Sequence, residues 1–96
     1  MSDKKAAEPD LGAFEAQLLA EGYRTVARDL PPGMQVPEHV HAFQAKALVT
    51  EGEIAITCGG ETRVYRAGDV FTVTRDTPHA EAIGPQGVSY LVGHLA

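Results

Sequence analysis

The chain has 96 residues, 44% of them hydrophobic, and a formal net charge of −5. That length holds one small domain. The acidic balance and the lack of a lysine–arginine cluster exclude a nucleic-acid footprint, and no run approaches the ~20 apolar residues of a membrane span.

Residues 1–10 are polar, with Pro9 near their end, and read as a flexible tail. They begin Met1-Ser2-Asp3-Lys4-Lys5 with no apolar run after the lysines, so no secretory signal is expected. Cys58 stands alone, which rules out an intrachain disulfide and suits a reducing cytoplasm. Asp10 can cap a short helix over 11–22, where Leu11, Phe14, Leu18 and Leu19 follow the helical period and Gly22 supplies a stop. From Tyr23 the pattern turns to strands. They are expected over 23–30, 35–41, 43–50, 53–58, 62–66, 70–74, 79–83 and 88–95, divided by Pro31-Pro32-Gly33, Glu51-Gly52, Gly59-Gly60, Ala67-Gly68-Asp69, Asp76-Thr77-Pro78 and Gly84–Gly87. About eight short strands with ten glycines and six prolines spread among them predict an all-β barrel or sandwich over 23–96. Phe43, Val49, Ile54, Ile56, Phe71, Val73 and Leu91 are its expected core and pocket lining.

Within that pattern stand His39-Val40-His41 and, further on, His79. On a strand, residues i and i+2 share a face, so the first two imidazoles sit roughly 6–7 Å apart at their Cα atoms and can converge on one cation. The turn at Thr77-Pro78 can bring His79 alongside. Three imidazoles in this spacing point to a divalent transition metal.

The segment Gly33-x5-His39-x-His41-x3-Ala45-x6-Gly52 resembles the first motif of the cupin family. Gly68-Asp69-x4-Thr74-x-Asp76-x2-His79 resembles the second, and together the resemblance covers roughly 23–95. It implies a small double-stranded β-helix (jelly-roll) barrel with His39, His41 and His79 as metal ligands. Ala45 stands where the family commonly has a glutamate ligand, Thr74-Arg75-Asp76 where it has Pro-x-Gly, and Ile83 where it often has Asn. A neutral three-histidine set resembles that of family members which are non-haem iron dioxygenases, such as those acting on thiols or diketones. Iron is therefore the expected ion, with Mn, Ni, Cu or Zn as alternatives.

The expected function is that of a metal-dependent, dioxygenase-type oxidoreductase acting on a small molecule. The alternative is a non-catalytic ligand-binding or sensor barrel. Glu81, two residues after His79 and so on its face, is the candidate acid–base group or replacement carboxylate, while His94 is a candidate fourth nitrogen. Met34, Phe43, Gln44, Phe71 and Tyr90 are candidate pocket residues, Gln44 only if a bulge turns it inward. The partner is expected to be a small molecule, with neither nucleic acid nor membrane. The apolar stretches Ala45–Val49 and Val88–Val92, with the family's habit, suggest a homodimer.

Overall fold

The computed structural model describes residues 10–96, so the tail expected over 1–10 lies outside it except for Asp10. The Asp10 carboxylate accepts from the Ala13 backbone N–H at 3.0 Å, satisfying one of the unpaired donors of the first turn. The helix α1 (Leu11–Ala20) ends slightly before the expected residue 22. There the Glu21 N–H reaches back to the Gln17 carbonyl at 3.0 Å, and Gly22 takes a positive φ of 91° to leave the axis. α1 lies on the outside of the sheet, with Leu18 only 1% exposed. Gly93 makes that seat possible, since a Cβ there would come within 2.9 Å of Leu18 Cδ1 and 3.0 Å of Tyr23 Cβ. No helix among the described residues is long and apolar enough to cross a membrane.

The strands are β1 (Arg24–Leu30), β2 (Gln35–His39), β3 (Gln44–Cys58), β4 (Glu61–Arg66), β5 (Val70–Val73) and β6 (His79–Leu95), all antiparallel to their neighbours. The two long strands β3 and β6 pair with each other along most of their length. One half of the pair carries β1 on β6 and β5 on β3; the other carries β2 on β6 and β4 on β3. Each half is a four-stranded layer, which makes the molecule a small barrel whose layers share their two central strands.

This corrects the expected eight separate strands. Glu51-Gly52 and Gly84–Gly87 read as turns, yet pairing continues through them as Glu51↔Ser89, Gly52↔Val88 and then Ile54↔Ile83. The extra residues on β6 form a bulge where the long pair passes from one layer to the other. Gly52 and Gly87 both have positive φ there, and a Cβ on Gly52 would fall on the Gly87 carbonyl.

Side chains alternate about this frame. Ala45, Ala47, Val49, Ile54, Ile56, Phe71, Val73, Ile83, Val88 and Val92 form the interior cluster, while Leu48 and Leu91 pair on the outer face and are also buried. The stretches Ala45–Val49 and Val88–Val92, expected as a face for self-association, are central strands buried within the protomer.

Candidate metal centre

β2 ends at His39, short of the expected His41, so the pair straddles a strand end. His39 stands opposite His79, the first residue of β6, in the β2–β6 register. The loop after β2 is tied to the turn before β6 by Asp76, whose N–H donates to the His41 carbonyl at 2.9 Å. Asp76 has φ 62°, the left-handed region in which glycine is usual and aspartate is among the better-tolerated replacements. Thr74-Arg75-Asp76 therefore forms the turn that the sequence required of it.

These constraints gather three rings. Centroids lie 4.7 Å apart for His39–His41, 4.2 Å for His39–His79 and 5.1 Å for His41–His79. One ligand-capable nitrogen from each lies within 4.8 Å of the others. His79 is 2% exposed, while His39 and His41 are half-buried.

Two rings are oriented by the same device. His39 Nδ1 is 2.7 Å from the Pro37 carbonyl oxygen, and His79 Nδ1 is 2.9 Å from that of Thr77. A carbonyl only accepts, so Nδ1–H is the donor, and in the neutral ring Nε2 keeps a lone pair. Into the space those lone pairs face comes Glu81, on the same strand face as His79. Its Oε2 is 3.5 Å from His79 Nε2 and 3.7 Å from His39 Nε2. Converging acceptors repel unless a proton or a cation lies among them. The donor set thus fits a cation on its chemistry: neutral imidazoles suited to first-row transition ions, with a carboxylate adjacent.

The remaining expected site residues divide. Met34, Phe43, Phe71 and Tyr90 line a cavity of about 310 Å³ together with the histidines and Glu81. Gln44 does not line it. The regular pleat that turns Ala45 inward turns Gln44 away, and its amide donates to the Tyr23 hydroxyl at 2.8 Å. His94 also lines the cavity but is not among the converging nitrogens. Its register partner is Ala45, and its ring centroid lies 4.4 Å from that of Phe43, which stacks on His41 at 4.7 Å.

The electrostatics follow burial. It lowers the His41 pKa, helped by the charges of His39, His79 and His94, and it lowers that of His94, helped by Arg28 and Arg24. Burial raises the Tyr90 pKa, Glu81 adding to the rise and Arg28 opposing it. Sequence reasoning missed Arg28, which lines the cavity beside Leu30. The signal was β1's alternation, which puts Arg24, Val26, Arg28 and Leu30 on one face.

A family model described as "Cupin domain" matches residues 27–92. Among solved structures, the Cnp3 cupin domain of Schizosaccharomyces pombe is similar with TM-score 0.70 at 18% identity, over 77% of this chain and 56% of that one. KdgF from Halomonas sp. is similar with TM-score 0.65 at 20% identity, over 77% and 69%. A structure described among the DMSP lyases RdDddP and RnDddQII gives 0.71 at 17% identity, over 79% and 40%. The chain thus spans little more than half of the first of these and less than half of the last. No curated protein matches it significantly.

Proposed function

The chain belongs to the cupin family, and from that membership we propose that it is a metal-dependent enzyme acting on a small molecule held in the barrel cavity. The observation that carries this is the convergence of acceptors: two oriented Nε2 atoms, a third imidazole within 4.8 Å and the Glu81 carboxylate, facing a cavity rather than solid core. His39, His41 and His79 would hold one divalent transition metal, iron first, with Mn, Ni, Cu or Zn as alternatives. Such an ion supplies Lewis acidity and open positions for dioxygen or a bidentate substrate.

The chain's own residues do the rest. The Pro37 and Thr77 carbonyls fix two rings and their tautomers. Phe71, Val73 and Val92 supply an apolar part of the cavity wall. Glu81 Oε2 is the group that can take or return a proton. The reaction class proposed is dioxygenase-type oxidation, because three imidazoles without a carboxylate at Ala45 resemble that subset of the family. The position of Glu81 favours a second reading, proton abstraction leading to elimination or isomerisation, for which a carboxylate beside the ion is the natural base. The DMSP lyase similarity belongs to this second reading.

Metal analysis of untagged protein by elemental mass spectrometry, beside His39→Ala/His41→Ala, tests the centre. Near one equivalent in the parent and none in the variant is expected. No metal in either, even after anaerobic Fe(II), refutes the enzyme reading and leaves a ligand-binding or sensor barrel. Oxygen uptake by the loaded protein on a panel of small substrates separates oxidation from proton transfer. A cytoplasmic location suits the single Cys58 thiol. A homodimer is expected in light scattering at micromolar concentration, though through faces other than the central strands.

A further inference from the structure

The inner face of β1 carries Arg24, Val26, Arg28 and Leu30, and the register sets Arg28 opposite Tyr90 and Arg24 opposite His94. Arg28 and Leu30 line the cavity that holds the histidines. Among the described residues no carboxylate lies within 4.0 Å of Arg28, and no side-chain hydrogen bond holds its guanidinium. A planar fork of donors beside an apolar wall, with nothing paired to it, is suited to an anion from solution. The chain has 13 acidic residues against 8 lysines and arginines, so its overall field repels anions and a local cation is needed to receive one.

We propose that the cavity takes a small monocarboxylic acid, its carboxylate held by Arg28 and its far end at the histidine cluster. This rests on the reading of the cavity as the substrate site. Several features select the class. A volume of about 310 Å³ is at the small end for ligand sites and admits a molecule of only a few carbons. The cavity walls also include Leu30, Val36, Phe71 and Val92, which suit a hydrocarbon body. The guanidinium fork matches a carboxylate with two parallel N–H···O bonds. Among the described residues Arg28 is the only lysine or arginine lining the cavity, and Glu81 lines it too, so a dianion such as a phosphate monoester is disfavoured. Tyr90, opposite Arg28, keeps its proton because burial and Glu81 both raise its pKa, leaving its hydroxyl a second donor for the carboxylate.

Butanoate and its neutral isostere butanamide are the probes. Each is titrated by 1H–15N NMR into protein as purified and into chelator-treated protein at pH 8, where imidazoles are neutral and direct metal coordination is removed. Butanoate is expected to shift the Tyr90 and Val92 amides in both samples and to bind at least tenfold more tightly than butanamide. Arg28→Gln should weaken butanoate at least tenfold and leave butanamide unchanged. Arg24→Gln, the same loss of charge outside this cavity, should change it less than twofold. Equal binding of the two probes, no butanoate binding, full affinity in Arg28→Gln, an equal loss in Arg24→Gln, or tighter binding of inorganic phosphate each overturns the proposal. Charge-selective binding in a protein that takes up no metal would leave Arg28 as the anchor and refute only the metal centre. Metal uptake without charge selectivity would do the reverse.

Discussion

Two glycines with nearly the same backbone separate conformational strain from steric contact. Gly33 has φ 71° and Gly52 φ 74°, both in the region that costs a residue with a Cβ about 1–2 kcal/mol. At Gly33 an added Cβ meets nothing within 4 Å, so Gly33→Ala measures the strain alone. At Gly52 the same atom would fall on the Gly87 carbonyl oxygen and lie 2.8 Å from its carbon and 3.0 Å from Val88 Cα, all of them backbone. Backbone cannot rotate away as a side chain can, so the paired strands must part, and overpacking of this kind costs a further ~1–3 kcal/mol. Gly52→Ala should therefore lose roughly 2–5 kcal/mol against about 1–2 for Gly33→Ala. In a domain of this size each kcal/mol lowers Tm by roughly 4–8 °C. Paired calorimetric scans should place Gly52→Ala at least ~5 °C below Gly33→Ala. Equal losses in the two variants would refute the argument that the close backbone approach of Gly87 to Gly52 leaves no room for a Cβ.

Leu18→Ala should cost about 2–5 kcal/mol in urea unfolding, because its side chain is 1% exposed beneath α1; a loss under about 1 kcal/mol would mean the helix is not clamped to the sheet. Bound metal should fall away as pH drops below roughly 6, since ligand imidazoles must be neutral; retention to about pH 4 in dialysis followed by metal analysis would remove the three histidines from the centre. In metal-free protein the His41 and His94 pKa values are lowered by folding, so the unfolded chain takes up protons first. The stability from these two is complete above their ordinary value of about 6.5 and is lost as pH falls through it, which urea midpoints at pH 7.5 and 5.5 should register as a decrease. Ultraviolet titration should find a phenol ionising above the ordinary tyrosine value of about 10, and Tyr90→Phe should abolish that late step.

The fold was legible because alternation and turn chemistry act locally, and Asp10, Leu18 and Gly22 mark the helix in the same way. The strand count was not legible. Gly84-Pro85-Gln86-Gly87 has the composition of a hairpin loop, and only the distant partner β3, pairing on both sides of it, makes it a bulge. The three histidines and Glu81 came together as their spacing suggested, the i+2 rule placing Glu81 on the face of His79. His41, however, lies past the end of β2 and is held by the β2–β6 register and the Asp76 tie. Gln44 was uncertain because the same rule depends on an unbroken pleat, which the structure has. Phe43 stacking on His41 and contacting His94 depends on strands far apart in the chain and leaves no local signature, whereas Arg28 had one in the alternation of β1.

One consequence of the topology concerns time rather than energy. β6 is the hydrogen-bonding partner of β1, β2 and much of β3, and it is the last element of the fold to be made. Arg24 pairs with His94, a separation of 94 − 24 = 70 residues, so β1 meets its first ladder only after nearly everything else has emerged. Until then β1 and β2 are open edges and the first two histidines have no third. Contacts this distant favour slow, late and concerted closure, with the nascent chain exposed to aggregation while it waits. Any ion captured early would meet an incomplete set of imidazoles, so loading belongs after closure.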